Sequence, residues 1–588
     1  MLRARRAPIR GSVMRISSTI LTLFVALGLA AAGCDEPRGR GVRGARDGGV
    51  VPPRDGSTRP CTPGDSDGNG IADSLEGAGV GNPDDDGDGV PDSLEVGTAG
   101  ECSPRDSDGD FTPDFQDVDS DNDGVLDGEE GALGTDPTNP DTDSDGFTDL
   151  VERTAGTSPT DPSSAVPPTD YFVVLPYNGD RAMRPLRFGT NISKADVFFL
   201  VDMTGSMGGE RTNLIRGLVD TIIPGIAAAI PNVQFGAGGF DDYPYDFFGA
   251  APDLPFYLLR SIGPADEDVG GWSIAAGPTT CPRDSFSSDI GRISGGPNGR
   301  WDILDAVEGL PCHGGSDGPE SYVPALYATA TGMGLSWPGG SIPAGPTCIS
   351  VPDEVGVRRG YPCFRPGALP IIILFGDNEF HNGPGTPPTY SFPAPGYDET
   401  VAALNGIGGR VIGVYSGDAF FGTMYRDDYV RVATDTGAVR TDGTPLVFDI
   451  MSDGSGLGSA VVDAVGQLVG GTPQDVSTRT ENVAGNPDEF DARQFIKAII
   501  PVEGYGPMGE VGPNPGVTYT SKDETTFYQV IPGTQVEFAI DFWNDVRPTP
   551  TRTEIHQARI IVVGNGVADL DFRNVYIVVP PEGGVILI

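Results

Sequence analysis

The sequence predicts a multidomain fold: an acidic repeat array, then an α/β doubly wound domain, then a C-terminal β-sandwich. Three observations carry that expectation. The 588 residues are too many for one core and should divide among several domains. Between Cys61 and Glu152 stand 28 Asp or Glu residues against a single base, Arg105, and their spacing repeats five times. After Ala195, apolar runs of strand length alternate with helical patterns, and from about Thr472 short alternating strands take over.

Residues 1–34 read as a targeting signal. Arg3, Arg5, Arg6, Arg10 and Arg15 precede an apolar run from Ile20 to Ala32 that is too short for a stable bilayer span. Met14 offers a second start that alone makes a compact signal. The small residues Ala31-Ala32-Gly33 before Cys34 resemble the lipobox of bacterial lipoproteins. That resemblance implies a lipid on Cys34 and export to the outer membrane or cell surface; ordinary secretory cleavage is the alternative. Residues 35–60, rich in Gly, Pro and Arg, read as a disordered tether, so the membrane is met by the lipid anchor only. The formal charge is −45, more than half of it in the acidic segment. Such a surface repels nucleic acid and anionic lipid and leaves multivalent cations as natural partners. Six cysteines remain beyond Cys34, an even number in an exported chain. Cys61 and Cys102 bracket the first repeats; Cys281, Cys312, Cys348 and Cys363 permit three connectivities, of which neighbour pairing is the simplest.

Within 61–165 the pattern Asp65, Asp67, Asn69, Gly70, Asp73, Glu76 recurs as Asp84, Asp86, Asp88, Gly89, Asp92, Glu95. It returns as Asp106, Asp108, Asp110, Asp114, Asp117, then as Asp119, Asp121, Asp123, Gly124, Asp127, Glu130, and finally as Asp141, Asp143, Asp145, Gly146, Asp149, Glu152. Oxygens at loop positions 1, 3, 5, 9 and 12, with Gly at 6 for the sharp turn, are the arrangement of a calcium loop. The intervals are short and broken by Gly and Pro, so the loops have no room for paired EF-hand helices and must pack on one another. The segment resembles thrombospondin type 3 repeats, which implies several calcium ions bound at about 0.1 to 1 mM and an unfolded acidic segment without them. The third copy carries Phe111 where Gly is usual, which predicts a strained loop.

Residues 166–194 hold one clear strand and a turn, read as a short β extension beside the next domain. In the domain at 195–471, the buried run Val197 to Val201 ends at Asp202, and Thr204 and Ser206 follow at spacing two. Alternate side chains of an extended turn point the same way, so a carboxylate and two hydroxyls converge on one hard cation. The bland reading is a strand-to-helix turn capped by Thr204 or Ser206. The stretch resembles the metal-ion-dependent adhesion site of von Willebrand factor type A domains, Asp-x-Ser-x-Ser, with Thr204 in place of the first Ser. That resemblance implies a Rossmann-like fold and a Mg²⁺ or Mn²⁺ ion.

Further residues extend the likeness. Ile371 to Asp377 is a buried strand ending in a carboxylate, where the family has its last metal-contacting Asp. The loop Gly314-Gly315-Ser316-Asp317-Gly318-Pro319-Glu320 is similar to the Asp-x-Pro-Glu loop of integrin β subunits, and His381 fits their Asp-x-x-x-His pattern. The resemblance carries metal contact to Glu320 and Asp377, directly or through water; stabilising a helix start is the plainer role for Glu320. Gly209 and Glu210 stand where integrin β domains have two acids for a second ion, and Gly315 where a third site would need Asn. Both extra sites are therefore in doubt. Asp241-Asp242 could supply carboxylates behind the metal ligands or form a polar loop, with the loop the favoured reading, and the Gly- and Pro-rich inserts between Phe247 and Pro370 are where ligand specificity should reside.

Residues 472–588 read as an immunoglobulin-like β-sandwich without paired cysteines. With only His313, His381 and His556, and no nucleophile elbow or metalloprotease helix, the chain is expected not to be an enzyme. Two functions remain open: an adhesion protein whose under-neutralised ion captures a carboxylate of a protein ligand, or a calcium-stiffened structural stalk with no specific ligand.

Overall fold

The structure, a computed structural model, describes residues 50–51, 59–76, 80–207, 213–214, 217–264, 303, 313, 316–345, 348, 356–417, 425–451 and 455–581. The signal with Cys34, together with Cys281, Cys312, Gly209, Glu210, Gly314 and Gly315, lies outside the described residues. The chain is a mixed α/β multidomain protein.

A short antiparallel pair, Val50–Val51 with Arg59–Pro60, lies within the stretch expected to be a tether, and two longer strands then lead to the α/β unit, β1 (Asp170–Val174) and β2 (Ala182–Phe188). Then come β3 (Lys194–Asp202), β4 (Asn232–Phe240), β5 (Tyr257–Gly263), β6 (Leu369–Gly376), β7 (Arg410–Ser416) and β8 (Val447–Ile450). These six form one sheet in the order β8-β7-β6-β3-β4-β5, parallel except for the edge strand β5. All eight residues of β6 are buried, as are the last eight of β3, which explains why both read as continuous apolar runs. Helices α1 (Ile223–Ala229), α2 (Tyr322–Thr331), α3 (Tyr397–Gly406), α4 (Arg426–Asp435) and α5 (Leu457–Gly471) fill the connections. Here α1 packs with α5, while α2, α3 and α4 pack with each other.

The chain moves outward through β3, β4 and β5, then returns to the other side of β3 to lay down β6, β7 and β8. The order therefore reverses between β3 and β6, and the crevice beyond their carboxyl ends is where open α/β sheets bind ligands. Asp202 is the last residue of β3, and Asp377 follows the last residue of β6.

After α5 come β9 (Gln474–Asn482), β10 (Ile496–Tyr505), β11 (Phe527–Val530), β12 (Gln535–Phe542), β13 (Glu554–Gly564) and β14 (Ala568–Val579). The stretch at 166–194 is not an extension of the α/β unit. Its β1 pairs with β14, closing a six-stranded sheet, and its β2 pairs with β12 in a three-stranded sheet with β10. The physical reason is edge protection: β14 and β12 would otherwise each leave a strand edge open. The two sheets meet through Phe527 against Phe538, ring centroids 5.3 Å apart, and Tyr171 against Phe542 at 6.3 Å. The α/β unit is thus inserted into a β module.

Each acidic loop runs into one short turn, as at Asp73–Glu76, Asp92–Glu95, Asp127–Leu133 and Asp149–Ala155. The array has two small apolar clusters. Ile71, Val96 and Phe115 unite the first three copies, and Val125 and Leu150 join Val578 of β14, with Val174 of β1 and Ile555 of β13 packed beside them. The last two repeats are therefore seated on the β module. Disulfides Cys61–Cys102 and Cys348–Cys363 clip the first repeats and the second insert, and belong to an oxidising compartment. Among the described residues no helix is long and apolar enough to cross a membrane.

Leu150→Ala should cost about 2 to 5 kcal/mol of the docked array's stability, the usual cost of a buried leucine. Urea unfolding and protease susceptibility of residues 61–165 measure it; unaltered values would mean that the array is not seated on Val578.

Candidate metal centres

The turn that carries Thr204 and Ser206 is built by the end of β3. Asp202 Oδ1 accepts the Thr204 N–H at 3.0 Å and its hydroxyl at 2.7 Å, and Thr204 Oγ1 stands 3.3 Å from Ser206 Oγ. A 3₁₀ turn, Gly205–Met207, leaves Ser206 exposed while Asp202 is fully buried. Sequence reasoning missed the partner of Oδ2, the Tyr322 hydroxyl, which donates at 2.6 Å from the start of α2. Glu320 precedes that helix and is 3% exposed. It is held by a parallel bridge to Phe380: its N–H donates to Glu379 O at 3.0 Å, and His381 N–H donates to Glu320 O at 2.9 Å.

Crowding of like charge is the electrostatic signature of this crevice. Burial, then the charge of Asp377, pushes Asp202 up to about 7. Burial, then Asp202, Asp242, Asp241 and Asp317, pushes Glu320 up to about 12, and among the described residues Glu320 Oε2 is buried without a hydrogen-bond partner. The structure thus gathers Asp202, Thr204 and Ser206 on one turn with Glu320 and Asp377 beside it.

Asp241-Asp242 is not a surface loop; both side chains are fully buried. Asp242 Oδ1 accepts the Ser321 hydroxyl at 2.6 Å and the Tyr390 hydroxyl at 2.7 Å. His381 Nε2 lies 3.0 Å from Asp242 Oδ2 and 3.2 Å from Asp317 Oδ2. Burial lowers the affinity of that ring for a proton, but the two aspartates outweigh it and hold the ring at about 9. The available signal was position: two acids directly after a buried strand, at the ligand-facing end of the sheet.

The five acidic loops share one wiring. The position-3 carboxylate accepts the N–H of position 5, at 3.2, 3.1, 2.9, 3.1 and 3.2 Å from Asp67 to Asp143. Position 5 accepts from position 7, at 2.9, 2.7, 2.6, 2.7 and 2.9 Å from Asn69 to Asp145. At position 1, Asp65, Asp84, Asp106 and Asp141 each accept the N–H of position 4, while Asp119 accepts from Gly124. Position 9 is spent differently. Asp73, Asp92, Asp114, Asp127 and Asp149 each accept the N–H of position 2, and in every copy but Asp92 the second oxygen takes a hydroxyl of that residue. These five close the loop.

Some other oxygens bond outside this pattern, as Asp123 Oδ2 does in accepting the Leu150 N–H at 3.1 Å, but many have no partner among the described residues. Asp86 Oδ2, Asp88 Oδ2, Asp121 Oδ2, Asp143 Oδ2, Glu76 Oε2, Glu152 Oε2 and both oxygens of Glu95 and Glu130 are enclosed and unbonded. The third copy ends on Asp117, which burial pushes up to about 7. Burial, then neighbouring aspartates, pushes Glu95 and Glu130 up to about 9 and Asp119 and Asp121 to about 8. Position 6 has positive φ throughout, 96°, 102°, 96° and 104° at Gly70, Gly89, Gly124 and Gly146, and 81° at Phe111.

No family model matches the chain, and no curated protein matches it. Among solved structures, a von Willebrand factor type A protein from Catenulispora acidiphila aligns at TM-score 0.28 and 13% identity, over 70% of this chain and 72% of that one. Human COPII-coat protein Sec24c aligns at 0.27 and 10%, over 67% and 46%, and the pilus adhesin SpaC from Lactobacillus rhamnosus GG, in its open conformation, at 0.25 and 12%, over 68% and 45%. The chain spans less than half the length of the last two. At these scores the likenesses carry no argument about function.

Two outcomes are expected. Phe111→Gly should stabilise the array by up to about 1 kcal/mol, because roughly 1–2 kcal/mol of left-handed strain is relieved against about 0.5–1 kcal/mol of added chain entropy; a lower thermal midpoint would contradict this. In chelator, the array should lose stability as pH rises from about 4.5, where Glu95 and Glu130 ionise in the unfolded chain, to about 9, where they ionise in the folded one. The sign follows from folded-state affinities for protons that are raised. Flat or rising stability by pH-dependent denaturation would exclude it.

Proposed function

We propose that this chain is an exported, lipid-anchored cell-surface protein that captures an acidic group of a protein partner at a Mg²⁺- or Mn²⁺-dependent adhesion site. The observation that carries the reading is the turn at the switch point: a buried carboxylate, Asp202, accepts from the Thr204 hydroxyl, which in turn meets that of exposed Ser206, with Glu320 and Asp377 alongside. An ion held there by Asp202, Thr204 and Ser206, with Glu320 and Asp377 in direct or water-mediated contact, would supply an open position for a carboxylate from another molecule. Tyr322 fixes Asp202 from behind, and the Glu320–Phe380 bridge fixes the second acid. The donors are all oxygens, as hard cations require.

The five loops are read as calcium sites similar to thrombospondin type 3 repeats. Support comes from the orphaned inward oxygens of Glu95 and Glu130, buried carboxylates that a dication would neutralise. The two C-terminal sheets are read as an immunoglobulin-like sandwich. The protein is read as a binder and not an enzyme, since His313 and His381 are both engaged by buried carboxylates.

Asp202→Ala, with Ser206→Ala as its milder companion, should reduce Mg²⁺-dependent binding to immobilised cell-surface extract at least tenfold while calcium content and the circular dichroism of the array stay as in wild type. Binding that is undiminished in both variants would favour the stalk.

A further inference from the structure

Of the chain's three histidines, two are buried against the consecutive aspartates that follow β4. The His381 group shares Asp317 and Asp242 with the surroundings of Glu320 and belongs to the adhesion crevice. The His313 group shares no side chain with that cluster, although its Asp241 also adds charge beside Glu320. It joins three chain segments: Asp241 beyond β4, Asp253 with Tyr257 at the start of β5, and His313 from the end of the first insert. We propose that Asp241, Asp253 and His313 form a second metal site, for a divalent cation of the zinc class, behind the Asp202 turn.

Geometry is the first argument. His313 Nδ1 is 2.6 Å from Asp241 Oδ2 and 3.9 Å from Asp253 Oδ1. Ligands about 2.0–2.2 Å from a tetrahedral ion stand about 3.3 Å from one another, so the observed separations bracket that spacing. The Tyr257 hydroxyl donates to Asp241 Oδ2 at 2.6 Å and lies 2.9 Å from His313 Nδ1, holding the carboxylate as outer partners of metal ligands do. The backbone is braced as well: Asp241 N–H donates to Leu254 O at 2.9 Å, and Ala250 N–H to Asp253 Oδ2 at 2.8 Å.

Charge and burial are the second argument. The three side chains are 0%, 4% and 3% exposed, so two carboxylates face one imidazole out of reach of water. Even a protonated ring leaves one negative charge there, which is costly. Asp241 Oδ1 is also enclosed, with no hydrogen-bond partner among the described residues. A dication with a neutral ring brings the sum to zero, taking the position of the Nδ1 proton, which leaves to solvent.

Donor type selects the ion. An imidazole nitrogen among carboxylates favours zinc, cobalt or nickel over calcium or magnesium. The site stands independently of the adhesion reading, although it would brace the same turn, since His313 N–H donates to Met203 O at 3.2 Å, between Asp202 and Thr204.

The test loads the chelator-stripped full chain with zinc chloride in excess Ca²⁺ and Mg²⁺, removes free metal and measures zinc by mass spectrometry. One zinc per chain is expected in the wild type and in Asp202→Ala, and none in His313→Gln or Asp253→Asn at unchanged calcium content. Cobalt loading of the wild type should give the visible bands of a four- or five-coordinate site, a readout that needs no variant. A wild type that retains no zinc, a six-coordinate cobalt spectrum, or full zinc in His313→Gln would each overturn the proposal. Loss of zinc in Asp202→Ala would likewise overturn it, by moving the ion to the adhesion turn.

Discussion

Burial of like-charged carboxylates against one another is the constraint on which the rest of this structure depends. Asp and Glu are seldom enclosed without a cationic partner, yet Glu95, Glu130, Asp202, Asp241, Asp242 and Glu320 are all nearly closed to water. Some have protein partners: Asp242 takes two hydroxyls and an imidazole, and Asp202 takes Thr204 and Tyr322. Others have none, and those oxygens carry the strongest proton affinities. Either protons or dications must supply the missing positive charge, and in water of neutral pH containing millimolar calcium the second source is the natural one.

The two kinds of site differ in how the fold completes them. In each acidic loop the backbone N–H groups of positions 2, 5 and 7 are satisfied by acidic or amide side chains of the same loop, and position 9 latches the loop shut. Each loop closes on itself, and some spare oxygens tie it to the next copy, as Asp123 Oδ2 does in accepting the Leu150 N–H at 3.1 Å. The adhesion turn is the opposite case. Its carboxylate is buried, but Ser206 is exposed and Asp377 partly so, at the crevice that strand order opens between β3 and β6. A closed oxygen set would retain a cation, whereas an open set would share it with a ligand. The insertion of the α/β unit into the β module, with the last repeats seated on β14, links the two kinds of site through one packed body.

Much of this was legible in the sequence where one rule acted alone. The spacing of acids fixed the loop register because ring geometry allows little variation, and β3 and β6 were readable because parallel strands buried on both faces become unbroken apolar runs. Legibility failed where distant segments complete each other. The pairing of β1 and β2 with strands some 350 to 400 residues away leaves no local trace. Strand β9, QDVSTRTEN, has hardly any apolar residues because its neighbours β11 and β13 support it by hydrogen bonding more than by burial. Asp241 and Asp242 looked like a polar loop for the same reason: Tyr257, His313, Ser321, Tyr390 and His381 all come from elsewhere in the chain. Tyr322 likewise reads as a core aromatic until its hydroxyl is seen on Asp202.

The most direct test of the central claim is anomalous diffraction from crystals grown with calcium and manganese. The account predicts density inside the acidic loops, between the carboxylates of positions 1, 3, 5 and 12, and a manganese peak against Asp202, Thr204 and Ser206. Clean maps at both places, with the carboxylates paired through shared protons, would contradict it.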